Sequence, residues 1–444
     1  MCNGTIMDKL ISFSLPLMLS GILQLMFNAV DIIVIGRFSG SQSLAAVGST
    51  TALINMFTNL FIGISLGANV LSARFYAAGK DKEMSETVHT AITLALISGI
   101  IMVFVGLIFA KPVLELMDTP DDVINLSTLY MRIYFMGMPF FMLYNYGASI
   151  LRAVGDTKRP LFYLIVAGIA NAGLNMCLVI IFHLGVAGVA IGTVISQLIS
   201  SILVLRCLYQ SETSYQLRFS KLKIQKEYLK QIFQVGIPAG IQSTVINFSN
   251  VLLQSSVNSF GSIAMAGYTA ANNIFGFLYV TVNAVTQACM SFTSQNYGVG
   301  KWKRMDRVLI DCLILSFVAM MILGNSAYFF GPKLLTIYTS NSKVIQCGME
   351  ILLYTTVTYF LCGFMDLFPG ALRGMGRSGV PMILSIIGTV GTRIVWIFWI
   401  FPNHRSLDIL FISYPASWII TIVLQVICYY FVRKQLYAKM RAEA

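Results

Sequence analysis

Long apolar runs separated by short polar stretches dominate the chain. About twelve such runs recur from end to end, each near the roughly 20 residues that an α-helix needs to cross a bilayer. A run such as 91–110 shows none of the alternation that a membrane β-strand requires. Because backbone groups in lipid must pair within the protein, the pattern predicts an all-α polytopic membrane protein with twelve transmembrane helices.

The predicted spans set the limits of the loops between them. They cover 10–36, 50–78, 88–110, 123–151, 161–182, 186–208, 229–258, 264–297, 307–331, 344–372, 380–402 and 407–432.

The two halves of the chain resemble each other. The sequence LRAVG at 151–155 recurs as LRGMG at 372–376, 221 positions later, and Pro160 and Pro381 keep the same separation. Six spans in each half give the two repeats the same orientation. The expected architecture is therefore two six-helix bundles related by a pseudo-twofold axis along the membrane normal, with a binding site between them.

Charge and polarity divide the chain into an N-terminal lobe at 1–208, a cytoplasmic linker at 209–228 and a C-terminal lobe at 229–444. The net charge is +12, and roughly 23 of the 30 Lys and Arg residues fall on one set of loops and both termini. Positive loops remain in the cytoplasm. We therefore expect an integral protein of the cytoplasmic (plasma) membrane, the inner membrane in a bacterium with two membranes, with both termini cytoplasmic.

Several classes of protein are disfavoured by what the sequence lacks. Its eight cysteines and three histidines are scattered, so no metal site or disulfide framework is expected. Walker, GxSxG and HExxH motifs are missing, which argues against an ATP-driven pump and an enzyme. No basic stripe interleaved with aromatic residues suggests a nucleic-acid partner. We expect membrane lipid as the surroundings, no cofactor other than a coupling ion, and a monomer.

Asp31 is the candidate cation-coupling carboxylate. It lies in the apolar run 23–35, where an ionised group costs at least about 2.5 kcal/mol and needs polar partners. Such a carboxylate can take up and release a proton, or coordinate Na⁺ through its oxygens. The alternative is an acid near the interface that pairs with Arg37.

Two asparagines provide candidate partners for this acid. Asn171 and Asn175 are four residues apart and share one helix face, so both could point at Asp31. The alternative is that they only hydrogen-bond neighbouring helices. We also expect Asn145, on the fourth span, to be a cation-coupling residue.

A substrate cavity is expected where amides crowd the seventh and eighth spans, because such side chains suit a water-filled cavity better than lipid. The candidate lining residues are Gln242, Asn283, Gln287, Tyr146 and Met26. Methionine and aromatic side chains would adapt to flat organic cations.

Asp366 and Arg393 are two charged residues within or near spans of the second half. We expect them to form a buried ion pair with a structural or gating role.

Several motifs in order along the chain resemble the multidrug and toxic compound extrusion (MATE) family of prokaryotes. They are NAVD at 28–31, LAAVG at 44–48, LRAVGDTKRP at 151–160, NAGLN at 171–175 and GVAGVAIGT at 185–193. The resemblance covers essentially the whole chain and implies drug or cation antiport driven by a proton or sodium gradient.

The resemblance also assigns residues. Thr193 matches a hydroxyl near the family's coupling site, and the position of Asn175 is often Asp in similar transporters. The sodium-linked branch has a Glu in the seventh span, where this chain has Val245 and Ile246. Both departures favour H⁺ over Na⁺ as the coupling ion.

The predicted function is therefore secondary active efflux of organic cations or drugs in exchange for H⁺ (or Na⁺), by alternating access of two lobes. The alternative is a flippase for lipids or lipid-linked oligosaccharides, which would need an Arg-rich cavity to which Arg393 and Arg132 could contribute. A membrane-embedded polyprenyl transferase would need paired acids or a His at a membrane face, neither of which the sequence offers.

Overall fold

The computed structural model describes residues 1–117 and 119–443, without the side chains at 41, 52 and 439–443. The described residues form helices and turns and contain no strand. The α-helices are α1 Met7–Phe38, α2 Gly40–Ala77, α3 Asp81–Leu116, α4 Asp121–Met136, α5 Met138–Ala153, α6 Lys158–Met176, α7 Gly185–Tyr209, α8 Lys226–Asn258, α9 Ser262–Gly298, α10 Trp302–Phe329, α11 Gly331–Thr336, α12 Ser342–Thr356, α13 Tyr359–Gly374, α14 Gly379–Ser385, α15 Thr392–Val395 and α16 Leu407–Glu443.

Twelve long helical segments result, which confirms the predicted fold class. Within the described ranges, nine helices are long and apolar enough to cross a bilayer, and α12 with α13 form a tenth candidate bent by 45°. The other two segments are the α4–α5 pair, whose members have 16 residues each, and the amide-rich α8. Turns with π-helical hydrogen bonding extend α6 and join α14, α15 and the segment that follows.

The helices extend furthest beyond the predicted spans at two places. Helix α2 begins at Gly40, ten residues before the predicted start, and α16 continues to Glu443 rather than ending at 432. The first turns of α2 are rich in Ser and Gly, which is typical of a loop, but Ala46 and Val47 are buried in the core. Tertiary packing therefore stabilises a helix whose local composition is poor.

The structural repeat follows the sequence repeat. Pro16 lies inside α1 and Pro238 inside α8. The fourth span of each half is interrupted at an equivalent place, at Gly137 in the first half and at 357–358 in the second. Three glycine pairs separated by 221 positions share a positive φ, which glycine adopts without steric cost: Gly40 with Gly261, Gly79 with Gly300, and Gly155 with Gly376.

The chain forms two compact units whose boundaries lie inside α1 and α8. One unit comprises Leu15–Gly240, and the other joins Met1–Ser14 to the chain from Ile241 onward. In the second unit, Phe13 packs edge-to-face on Phe292 with ring centroids 5.6 Å apart. Arg304 also donates to the Gly4 carbonyl at 2.9 Å, so side-chain contacts hold the N-terminal segment on this unit.

The segment between α7 and α8 is fastened to α3. The Nε2 atom of His89 accepts a hydrogen bond of 3.0 Å from the backbone N–H of Arg218. The hydroxyl of Thr90 accepts one of 3.2 Å from the backbone N–H of Gln225. These contacts fix the chain just before α8 begins at Lys226.

Helix α2 crosses the first half of α8 at a distance that only glycine allows. Gly63 and Gly67 of α2 face Gly236, Gly240 and the Ile232 carbonyl of α8, all within the Leu15–Gly240 unit. A methyl group on any of these four glycines would overlap the backbone of the opposite helix. Small residues allow membrane helices to approach this closely.

We predict that Gly63→Ala lowers the stability of the protein by about 1–3 kcal/mol, because the added methyl forces the two backbones apart. Thermal unfolding in detergent measures the effect as a lower Tm. The matched control is Gly173→Ala, since an added methyl at this position of α6 has no neighbour within 4 Å. An equal Tm for the two variants would show that the crossing does not depend on Gly63.

Candidate ion-binding site

Asp31 is surrounded by hydrogen-bonding side chains from α6 and α7. The amide of Asn175 donates to Oδ1 of Asp31 and lies 3.3 Å from the Oδ1 atom of Asn171. The Asn171 amide in turn lies 3.5 Å from the hydroxyl of Thr193. The structure therefore brings Asp31, Asn171, Asn175 and Thr193 into one cluster within the Leu15–Gly240 unit.

Helix geometry explains how the cluster forms. Asn171 and Asn175 are one turn apart on α6, so both amides leave the same face. Gly192 on α7 makes room for Asn175, because a methyl group there would overlap its Oδ1 atom. The side chain of Asn175 is completely buried, and its Oδ1 has no hydrogen-bond partner in the described part of the chain.

No basic side chain among the described residues forms an ion pair with Asp31. Arg37, the alternative partner, is exposed near the end of α1. The aromatic residues Tyr130 and Tyr134 of α4 lie within electrostatic range of the carboxylate. The acid is thus held by neutral groups.

Oxygen atoms dominate the donor set of this cluster. The Asp31 carboxylate, the Asn171 and Asn175 carbonyls and the Thr193 hydroxyl are ligand types that hard cations prefer. The same carboxylate can bind a proton, with neighbouring amides and hydroxyls exchanging donor and acceptor roles. The arrangement can therefore accept one small cation at a time.

Three other predicted residues of the first half make no hydrogen bond to this cluster in the described part of the chain. Asn145 donates 2.8 Å to the Phe141 carbonyl of its own helix. Tyr146 is completely buried in the hydrophobic core and lines no open surface. Met26 on α1 is 52% exposed.

The amides predicted to line a cavity make side-chain contacts within the second unit. Gln242 is buried and accepts a hydrogen bond of 2.7 Å from Nη2 of Arg373. Asn283 accepts a hydrogen bond from Gln287, one turn later on α9, and both remain partly exposed. Only the Asn283–Gln287 pair therefore retains the accessibility that a lining role requires.

The predicted ion pair between Asp366 and Arg393 is absent from the described residues. Arg393 instead donates to Ser249 at 2.8 Å and to Asn250 at 2.7 Å. Asp366 lies on α13 near Tyr279 and Arg373. The prediction failed because sequence position gave two charges in nearby spans but not the direction of either side chain.

Sequence reasoning also missed Gly192 and the α4 tyrosines. Gly192 stands directly before Thr193 within GVAGVAIGT, so this motif offered a signal of close packing. Tyr130 and Tyr134 are four residues apart and share a helix face, but nothing in the sequence connects that face to α1.

Comparison with known proteins identifies the family to which this chain belongs. The sequence profile of the MatE family matches residues 16–177 and again residues 238–399. The two matches are 222 positions apart and reproduce the internal repeat. The chain belongs to the MatE family.

Relatives in this family are named for drug resistance. The chain is 30% identical to the "Probable multidrug resistance protein YoeA" of Bacillus subtilis, over 95% of this chain and 93% of that protein. It is 23% identical to the "Multidrug export protein MepA" of Staphylococcus aureus, over 87% of this chain and 85% of that protein.

The fold matches a solved structure of an outward-facing multidrug resistance MATE family transporter of the MOP superfamily. The TM-score is 0.90 at 20% identity, with 99% of this chain and 97% of that chain covered. This likeness supports the twelve-helix architecture.

We predict that Gly192→Ala destabilises this MatE protein, because the methyl displaces the Asn175 amide and leaves buried polar groups unpaired, at about 1–3 kcal/mol. Asn175→Ala removes the group that the methyl meets. The double variant should therefore be more stable than the sum of the two single effects predicts. Thermal unfolding of the four proteins tests this coupling, and strictly additive shifts in Tm would contradict it.

Proposed function

We propose that this protein is a secondary active antiporter that exports organic cations or drugs in exchange for H⁺, with Na⁺ as the other candidate coupling ion. Transport would proceed by alternating access of the two lobes, in the cytoplasmic membrane, with both termini in the cytoplasm. Membership of the MatE family and the names of its relatives support the cargo class.

The observation that carries the proposal is the carboxylate of Asp31, held by neutral amides without a basic partner in the described residues. A structural acid in this position would be expected to pair with Arg or Lys, which would hold its charge permanently. Neutral partners leave the charge of Asp31 free to change. Uptake of a cation neutralises the cluster, and release restores its charge.

Exchange follows if the protein cannot bind the coupling cation and the cargo at the same time. With a cation bound, the charge of Asp31 is neutralised and its hydrogen bond to Asn175 rearranges, which favours one arrangement of helices α1, α6 and α7. Without the cation, the negative charge of Asp31 is not neutralised, which favours another arrangement of these helices. A ligand shifts such an equilibrium by its differential affinity for the two states.

The composition of the cluster favours H⁺. Asp31 is its single acid, since Asn171, Asn175 and Thr193 are neutral. Sodium sites usually combine several oxygens with enough negative charge to replace the hydration of the ion. A proton needs one basic oxygen and a neighbour that can accept or donate a hydrogen bond, which Asp31 and Asn175 provide.

We predict that Asp31→Asn reduces ion-driven efflux of ethidium at least about tenfold, because an amide can neither bind a proton nor hold a cation by charge. Proteoliposomes with an imposed pH gradient, and separately with an imposed sodium gradient, measure the driving ion. Wild-type protein should respond to the pH gradient.

Glu212→Gln is the matched control, because it makes the same change from carboxylate to amide at an exposed position. This variant should transport as the wild type does. If Asp31→Asn retained full gradient-driven efflux, Asp31 would not be the coupling group. If neither gradient drove efflux in the wild type, the antiport proposal would fail.

A further inference from the structure

Arg393 is a buried cation in the unit that includes the chain from Ile241 onward. Its residue is 3% exposed. Nη1 donates to the hydroxyl of Ser249 at 2.8 Å and to the Oδ1 atom of Asn250 at 2.7 Å. The guanidinium stacks over the ring of Tyr414, with 4.7 Å between Cζ and the ring centroid. Every contact described for Arg393 is therefore with a neutral group.

One edge of this guanidinium has no partner. Nε is buried and makes no hydrogen bond to any described residue, and Nη2 donates none. Nε and Nη2 present two parallel N–H groups, whose spacing matches the two oxygens of a carboxylate or phosphate. Nη1 makes both hydrogen bonds to the protein, whereas the edge formed by Nε and Nη2 makes none to any described residue.

The charge of Arg393 also lacks a counterion. No carboxylate in the described residues lies within ion-pair distance of it. Arginine does not lose its proton in proteins, so the charge persists. A buried unpaired cation costs several kcal/mol, which two neutral hydrogen bonds and one cation–π contact offset only in part. An oxyanion would satisfy the free edge and neutralise the charge together.

A row of amides connects Arg393 to the surface of α8. The row consists of Asn247, Asn250, Gln254 and Asn258, spaced by three or four residues along one face of the helix. Asn247 and Asn258 are exposed, and Asn250 and Gln254 are partly exposed. Amides on an exposed helix face suit water rather than lipid. Asn250 belongs both to this row and to the Arg393 cluster, so a polar ligand can approach along the row.

We propose that Arg393 forms an oxyanion-binding site with Ser249, Asn250 and Tyr414, and that the site takes the carboxylate of an amphipathic organic molecule. Nε and Nη2 would bind the two oxygens. That the bound molecule is transported cargo rests on the proposed antiport function; the binding site itself does not. Cargo with both a cationic and an anionic group would then be favoured over a simple cation.

Rhodamine B and its ethyl ester are suitable probes, because they share the cationic dye and differ in whether the carboxylate is free. Fluorescence anisotropy with purified protein in neutral detergent measures the Kd of each, without any ion gradient. We predict that wild-type protein binds the free carboxylate at least about tenfold more tightly than the ester, as a charge-assisted bidentate pair implies.

Variants of Arg393 test the assignment. Arg393→Gln should remove the preference for the free carboxylate while leaving the Kd of the ester unchanged. Arg393→Lys keeps the charge without the planar fork and should retain part of the preference. Arg405→Gln is the matched control, since it removes an exposed arginine from the same unit and should leave both Kd values as in the wild type.

Nanodiscs of defined lipid composition distinguish two sources of the oxyanion, the carboxylate of an organic molecule and the phosphate of a lipid. If phosphatidylglycerol but not phosphatidylcholine abolishes the preference for rhodamine B in the wild type, a lipid phosphate occupies the same site, which supports the oxyanion chemistry and reassigns its source. Equal Kd values for dye and ester in wild-type protein would overturn the proposal.

An equal loss of affinity for dye and ester in Arg393→Gln would indicate a structural role for Arg393 and would also overturn it. Because no gradient is used, failure of antiport in proteoliposomes leaves this binding result standing.

Discussion

The cost of a charged carboxylate among apolar helices is the constraint on which the candidate site depends. Water that would solvate Asp31 at the protein surface is scarce inside a helical bundle, so side chains must supply its hydrogen bonds. Asn175 does so directly, and Asn171 and Thr193 extend the network. Gly192 makes room for the Asn175 amide on the neighbouring helix. Side chains of α6 and α7 thus supply the hydrogen-bond network around one acid on α1.

The two halves share a backbone plan but differ in chemistry at the position of Asp31. The repeat offset of 221 or 222 positions relates Asp31 to Leu252 or Leu253. In either register, position 31 is an acid in one unit and an apolar side chain in the other. Backbone features such as Pro16 and Pro238 were retained, whereas the polar residues diverged, because helix packing and ligand chemistry place separate demands on a sequence.

Sequence patterns predicted what depends on the spacing of residues along the chain. Apolar runs gave twelve helices, and the shared face of Asn171 and Asn175 placed both amides beside Asp31. Side-chain direction between distant helices was not accessible in this way. The Asp366–Arg393 pair failed for that reason. The sequence also could not give the partner of Gln242, Arg373, which is 131 positions away. The coupling role of Asn145 and a cavity lined by Gln242 stay predictions.

The absence of a matching acid in the second repeat bears on how many cations the proposed antiporter exchanges. At the second unit's equivalent of Asp31, a cation would meet an apolar leucine instead of a carboxylate. Asp366 does not restore that site, since the repeat relates it to Asn145 rather than to Asp31. Coupling through the repeated position therefore has one carboxylate available. In this scheme, the N-terminal unit responds to the driving ion, and the positive charge in the other unit is left for an anionic group on the cargo.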